Sequence, residues 1–552
     1  MRAPAFPASP TPATTAHPGR PFLMRFARDE RGVTAVIWAI SFSTFLIASG
    51  MAIDYGIAVS EQHREQRALD AATLAGSLQM GDAEHLTKVP ATVEAFYAAN
   101  RSARGGSTLK STSYDPNKGE IAATAGASVK TTFLRMKTTG RNSIDVGARS
   151  KVVKGAGSIE IALVLDNSGS MGGSSGSVNG TYIEDLKAAA TNLSTAMFAG
   201  TDGGDRVKLG LVPFAASVNV GAANRGASWI DNDGQSAISA ENFADNRSRF
   251  SLFDDMGVAW KGCVETRPGV LDTTDAVAGS GNADSLFVPM FAPDEPDDSN
   301  ASAAGVSNYP NNYISDFGGS CPAGPQVCTK FNKKKNTCSA YGPAPIDVAT
   351  AQSRTCKYQN ATPAADTGPN AGCTTAPVLP LNSTKQDVLD AISAMQASGN
   401  TNVGEGVMWG WRVLSPGAPF TEGRESDNAD NRKFMIVMTD GENFLSSTSN
   451  HNKSIYAAHG YAAKGRLGGT YSQSGYTTKL NEKLISACAN AKQNGITIFT
   501  VAFRLESSPT TQSLLRACAT SPEQSFNAGD GEALLQSFHN IGRQISQLRI
   551  AE

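Results

Sequence analysis

The sequence predicts an α/β protein in two successive parts. The first is an N-terminal transmembrane helix with a small α+β stalk; the second is a domain built on a mostly parallel sheet with a long cysteine-rich insertion. Three observations carry this. The run Val33 to Ile53 is uncharged for about 21 residues, enough to cross a bilayer core of roughly 30 Å as a helix. From Gly157 onward apolar strands alternate with amphipathic helices, the pattern of a parallel sheet covered on both faces. Residues 222–380 break that rhythm and hold six of the eight cysteines.

Composition narrows the class. A chain of 552 residues is too long for one compact core. Lys+Arg 48 against Asp+Glu 50 gives a net charge of -2, with no basic stripe, so no nucleic-acid partner is expected. No two cysteines have C-x-x-C spacing and only six histidines are present, which argues against a structural zinc site. The even cysteine count fits disulfides outside the cytoplasm.

Taken in order, residues 1–32 begin with a Pro-, Ala- and Thr-rich stretch and read as a disordered cytoplasmic N-terminus. Arg20, Arg25, Arg28 and Arg31 precede the apolar run, which by the positive-inside rule sends the C-terminal part outward. The expected arrangement is a single-pass protein with everything after Ile53 periplasmic or extracellular. A cleaved signal peptide with a site near Ala48-Ser49-Gly50 and a buried core helix are the competing readings. Residues 54–153 form the stalk. Its helix continues past Asp54 with an apolar stripe including Leu69, Ala72 and Leu78, the architecture of a pilin-like stem. Three strand-like segments follow within 106–153, with a hairpin turn at Asp115-Pro116-Asn117-Lys118-Gly119.

The second domain spans 157–552. SIEIALVLD, VKLGLVPFAASV, KFMIVMTDG, ITIFTVAF and SFNA read as strands. YIEDLKAAATNLSTAMF, KQDVLDAISAM, VGEGVMWGWRVL, NEKLISACANAKQNG, SLLRACA and ALLQSFHNIGRQISQL read as helices. Trp409 and Trp411 are expected to pack in the core. The insertion 222–380 emerges between the second strand and the Thr401 loop, near the carboxyl ends of the strands, where it could shape or cover a site. A loop of that length needs staples. The expected pairs are Cys321–Cys328, Cys338–Cys356 and Cys263–Cys373, with Cys488–Cys518 outside it. The acidic run Asp294, Glu295, Asp297, Asp298 reads as a solvated loop.

Ligands of such sheets bind beyond the strands' carboxyl ends. Asp166 and Asp440 lie there, as do Ser168 and Ser170 from DNSGS and Thr401 from GNTNVG. All five donors are hard oxygens, which suits octahedral Mg²⁺ or Mn²⁺. DNSGS alone would equally serve as a helix cap. Aspartyl phosphatase chemistry is disfavoured because its second carboxylate, two residues on, is replaced by Ser168. No histidine lies near these loops to complete a Ser-His-Asp arrangement.

D-x-S-x-S, a later Thr in a G-x-T-N loop and a later Asp closing an apolar strand resemble the von Willebrand factor A (vWA) domain, a Rossmann-like fold, and its metal-ion-dependent adhesion site. The resemblance implies metal contacts, direct or through water, from Asp166, Ser168, Ser170 and Thr401, with Asp440 nearby. FARDERGVTAVIWAI, ALDAATLAG, WKGCVETRPG, LFVPMFAPDEPD and the ending IGRQISQLRI resemble TadG-type proteins of tight-adherence (Flp) pilus assembly, with a TadE/TadG-like N-terminus. In prepilins a Glu follows the cleavage glycine by five residues; here Ile37 follows Gly32, which implies a retained anchor. The implied function is metal-dependent protein binding in pilus assembly or anchoring, without catalysis, a partner from the pilus machinery supplying a carboxylate to the metal. A surface adhesin for host or matrix protein and a metal-dependent hydrolase are the alternatives.

Overall fold

The computed structural model describes residues 33–548 apart from 82–84, 103–105, 116–119, 134–141, 154–157, 175, 200–205, 280, 364–366, 427 and 429–430. Residues 1–32, with their arginines, and the turn residues 116–119 lie outside the described residues. Two compact units divide between Val153 and Lys154.

In the first unit the apolar run and the stalk helix are one helix, α1 (Val33–Ser77). Its first part exposes Val36, Ile37, Trp38, Phe42 and Phe45, a surface that only an apolar medium would cover. Ser43 and Thr44 return their hydroxyls to the Ile40 carbonyl, which keeps those two hydroxyl hydrogens paired on that surface. Beyond Asp54 the helix packs on an antiparallel sheet of β1 (Thr108–Asp115), β2 (Glu120–Lys130) and β3 (Ser143–Val153), in the order β1-β2-β3. Leu69 and Ala72 enter that core, but Leu78 does not: it begins a 3₁₀ turn and is exposed. A second helix, α2 (His85–Asn100), was not expected because Pro90 interrupts its pattern. Val89, Val93 and Tyr97, four residues apart, are its buried face.

The second unit has a six-stranded sheet in the order β11-β10-β9-β4-β5-β8. Its strands are β4 (Ser158–Asp166), β5 (Val207–Phe214), β8 (Leu379–Asn382), β9 (Asn431–Thr439), β10 (Ile496–Phe503) and β11 (Ser525–Ala528). All neighbours run parallel except β8, an antiparallel edge beside β5 that the sequence pattern did not reveal. Both faces are covered. From β4, Ile161, Leu163 and Leu165 pack with α3 (Tyr182–Phe198), α4 (Lys385–Ser393) and α8 (Gly531–Leu548). Ala162 and Val164 face the cluster that contains α5 (Val403–Leu414) and α6 (Gln473–Gln493). The short α7 (Pro509–Cys518) is tied to α6 by Cys488–Cys518, as expected. Successive side chains of each strand therefore meet apolar partners on opposite sides, which is why these strands read as unbroken apolar runs.

Every residue of α5 is buried, Trp409 and Trp411 included. The helix lies close on the sheet because it carries glycines four residues apart. A Cβ on Gly406 would stand 2.6 Å from the Phe214 ring, and one on Gly410 would strike Val164.

The insertion corrects the expectation of a loose, stapled loop. Trp229, Phe243, Phe250, Phe253, Phe287, Phe291 and Tyr358 share one core cluster with Trp409, so the segment forms a second layer over α5. The acidic run is only half solvated: Asp298 is exposed and Asp297 partly so. Asp294 and Glu295 are buried, and the buried Lys357 ammonium lies 2.7 Å from Asp294 and 3.0 Å from Asp316. Burial pushes Asp294 up to about 6 against the pull of Lys357. Of the cysteines, 263–373 pair as expected, but the other two pairs are Cys321–Cys356 and Cys328–Cys338. The reason is an unpredicted hairpin, β6 (Gln326–Asn332) and β7 (Thr337–Pro343), that sets Cys328 and Cys338 on adjacent strands with Cα atoms 5.7 Å apart. One apolar N-terminal helix and four disulfides indicate a single-pass membrane protein with a domain in an oxidising compartment.

Candidate functional site

At the carboxyl end of β4, Asp166 is fully buried. The loop after it is held from three sides. Asn167 N–H donates to the Phe214 carbonyl at the end of β5 (2.7 Å). Gly169 N–H donates to Gly399 (2.9 Å), and Ser398 N–H donates to Asn167 (2.8 Å). Met171, wholly buried, plugs the loop into the core below. Gly399 has φ 88°, a conformation that favours glycine, and brings the second loop against the first.

That second loop delivers Thr401. Its backbone exchanges two hydrogen bonds with Phe444, at 3.3 and 2.8 Å. The next residue, Asn402, caps α5 by accepting from Glu405 N–H at 3.2 Å, while Asn443 Oδ1 accepts from Val403 N–H at 2.8 Å. The third loop leaves β9. Its adjacency to β4 sets Thr439 and Asp440 beside Asp166.

The five expected residues converge. Ser168 Oγ lies 3.0 Å from Ser170 Oγ, and Ser170 Oγ donates to Asp440 Oδ1 at 2.6 Å. Thr401 Oγ1 and Ser170 Oγ both lie less than 4 Å from the point where a side chain on Gly441 would begin. Asp166 and Ser168 form the buried floor, and Ser170 is open to solvent. Thr439 was not anticipated: its hydroxyl donates to Asp166 Oδ2 at 2.5 Å, while Ser168 N–H donates to Oδ1 at 2.7 Å. The signal for it was the Thr preceding Asp440 in VMTDG, whose role depends on which strand lies next to β9.

Burial raises the Asp166 carboxyl above its usual range, against hydrogen bonds from Thr439 and Ser168. Burial, and then the charge of Asp166, pushes Asp440 up to about 7. Two carboxylates thus share a site with hydroxyls and little countercharge, though Arg504 draws Asp440 slightly down. Such a donor set fits a hard divalent cation. Adjacent corners of an octahedron with bonds of 2.0–2.1 Å are about 2.9 Å apart. The spacings Ser168–Ser170 and Ser170–Asp440, 3.0 and 2.6 Å, bracket that value. Among the described residues no group of three or more His, Cys, Asp or Glu side chains is placed to hold a metal, so hydroxyls are what distinguish this cluster.

Residues 32–85 match the family described as "Putative Flp pilus-assembly TadE/G-like". The match covers α1 and the start of the stalk. No curated protein shows significant sequence similarity to the chain. Among solved structures, the pilus adhesin SpaC from Lactobacillus rhamnosus GG is 12% identical with a TM-score of 0.31, covering 80% of this chain and 34% of the adhesin. The chain therefore spans about a third of that relative's length. The vWF domain of the type V pili tip protein Mfa5 from Porphyromonas gingivalis is 10% identical with a TM-score of 0.32, covering 71% of this chain and 95% of that one. The PilB minor pilin from Streptococcus sanguinis is 12% identical with a TM-score of 0.29, covering 80% and 78%. In all three, identity is 10–12% and the TM-score is near 0.3, so the functional proposal draws on the site and the family match instead.

Proposed function

We propose that the second unit is a vWA-type protein-binding domain, anchored in a bacterial inner membrane with its N-terminus cytoplasmic, that acts in the assembly or anchoring of a Flp-type pilus. One observation carries the binding reading: oxygens from Asp166, Ser168, Ser170, Thr401 and Asp440, drawn from three separate loops, meet at the carboxyl ends of adjacent strands β4 and β9. The TadE/G-like match over residues 32–85 supports the pilus context. Asp166, Ser168, Ser170 and Thr401 would hold Mg²⁺ or Mn²⁺, with Asp440 adjacent. A bound ion supplies an electrophilic position that a partner carboxylate can take. Asp166 sits on the floor with both oxygens already engaged by Ser168 N–H and Thr439, so its orientation is preset. Ser170, at the open edge, orients Asp440. In this reading no bond of the partner is made or broken.

The test is Asp166→Ala in the native bacterium. Loss of pili with an unchanged amount of protein in the membrane is expected. Normal pili with lost adhesion would instead assign the protein to direct adhesion, and turnover of a phosphate ester abolished by the same change would make it a hydrolase.

A further inference from the structure

Asp54 closes the apolar run of α1, yet it is only 3% exposed. Its two carboxylate oxygens accept from the N–H groups of Thr132 (3.0 Å) and Phe133 (2.8 Å), just past the end of β2. One turn earlier on α1, Gly50 lies under the Phe133 ring: a Cβ there would stand 2.6 Å from it. The end of the sheet is thus latched to α1 at two successive levels. The lower level is inside the apolar run.

Depth follows from helix geometry. At 1.5 Å per residue, Val33 to Ile53 spans about 31 Å, close to the thickness of a bilayer core. Gly50 then lies roughly 4–5 Å inside the boundary set at Ile53. The Phe133 ring seated on it lies at that depth too. Phe133 is 40% exposed, and on α1 itself Ile53, Tyr55 and Ile57 stay exposed at 52%, 67% and 51%. These side chains form a collar of apolar and aromatic surface around the level where the helix leaves the apolar zone. Aromatic rings favour that depth, where one edge meets acyl chain and another meets headgroup. Three backbone N–H groups at the same depth are satisfied: Thr131 N–H donates to the Asn142 carbonyl, and the next two go to Asp54. N–H groups so paired can approach hydrocarbon, whereas unpaired ones cannot.

We propose that the segment just past the end of β2 is a lipid-interface anchor, with the Phe133 ring, together with Tyr55 and Ile57, embedded at the boundary between headgroups and acyl chains. The occupant of this surface is bilayer lipid, because the patch is continuous with the span itself. The anchor fixes the base of the stalk to the membrane at a second point beside α1, so the helix and the sheet latched to it cannot roll freely about the helix axis in the bilayer. The inference rests on α1 being a membrane span, and the experiment separates the two.

All eight cysteines are in disulfides, so one introduced cysteine can be labelled alone. The full chain, reconstituted in vesicles of phosphatidylethanolamine and phosphatidylglycerol, carries a nitroxide at Thr132→Cys, next to the intact Phe133. Controls sit at Phe42→Cys within the span and at Ser113→Cys, exposed toward the opposite end of the sheet. Collisions with O₂, concentrated in lipid, are compared with those of a water-soluble nickel chelate. The expected result is O₂ preference at 132 and 42, nickel preference at 113, and a reversal at 132 when Phe133→Asp is added. Nickel preference at 132 with O₂ preference at 42 overturns the anchor and leaves the span intact. Nickel preference at 42 overturns both. A label at 132 that stays in lipid after Phe133→Asp overturns the assignment to that ring.

Discussion

Thr439 Oγ1 donates to Asp166 Oδ2 at 2.5 Å, joining residues 273 positions apart at the ends of two adjacent parallel strands. Both are wholly buried. The bond makes Thr439 a positioning residue for the proposed cation site. Thr439→Val keeps the shape and removes the donor, leaving a buried carboxylate oxygen one partner short. A loss of about 1–3 kcal/mol in unfolding free energy is expected from the unmade bond. Denaturant titration measures this. The same variant should need more Mg²⁺ for half-maximal stabilisation than the parent.

Removing cation from the parent should lower its stability. For one site at a hundredfold excess over its dissociation constant, binding adds about 2.7 kcal/mol. Thermal melts of the detergent-solubilised chain with Mg²⁺ or with EDTA should therefore differ in midpoint. Asp440→Ala should shrink that difference, and Asp166→Ala should abolish it. Equal midpoints for the parent with and without Mg²⁺ and Mn²⁺ would remove the metal from the proposed function.

Lys357 stands between Asp294 and Asp316 with no exposed surface on any of the three side chains. Lys357→Met strands two buried carboxylates, and a destabilisation of about 3–5 kcal/mol is expected for breaking such a buried pair. Adding Asp316→Asn should recover part of it. If the single change is neutral in chemical denaturation, the cluster is not what holds the second layer together.

Gly406 is required by the ring of Phe214 rather than by its own backbone, since it lies within the regular helix α5. Gly406→Ala raises helix propensity but forces the ring to move. Overpacking of about 1–3 kcal/mol should outweigh the roughly 1 kcal/mol propensity gain. Gly406→Ala with Phe214→Leu should be more stable than Gly406→Ala alone, which melting temperatures can decide.

The two insertion disulfides with the most different loops should differ in value. Cys263–Cys373 closes a separation of 110 residues and Cys328–Cys338 one of 10. Chain-entropy reasoning puts the longer at about 4.7 kcal/mol and the shorter nearer 3. Paired Cys→Ser variants, compared in urea, should show that order. Peptide mapping under non-reducing conditions should find Cys321 with Cys356.

Much of the architecture was legible because it is local. The short apolar run Phe434 to Met438, closed by Thr439-Asp440-Gly441, reads as a strand buried on two faces, and α3 and α5 begin and end where their patterns do. That the five candidate residues would come together was legible for the same reason: each ends or follows a recognisable strand or opens a helix. One helix and an edge strand were less so. Pro90 hid α2, and β8 has four residues, too few to show a period.

The chain's own order of residues determined the apolar run, the strands, the helices and the candidate ligands, since each depends on spacing between near neighbours. Folding in three dimensions decided the rest. Whether Asp294 meets water or Lys357, whether Cys328 meets Cys321 or Cys338, and whether Thr439 merely ends a strand or braces Asp166 are questions about residues far apart in sequence. Their answers depend on which strands lie side by side and on which surfaces are thereby removed from water, and neither is written in any short stretch of sequence.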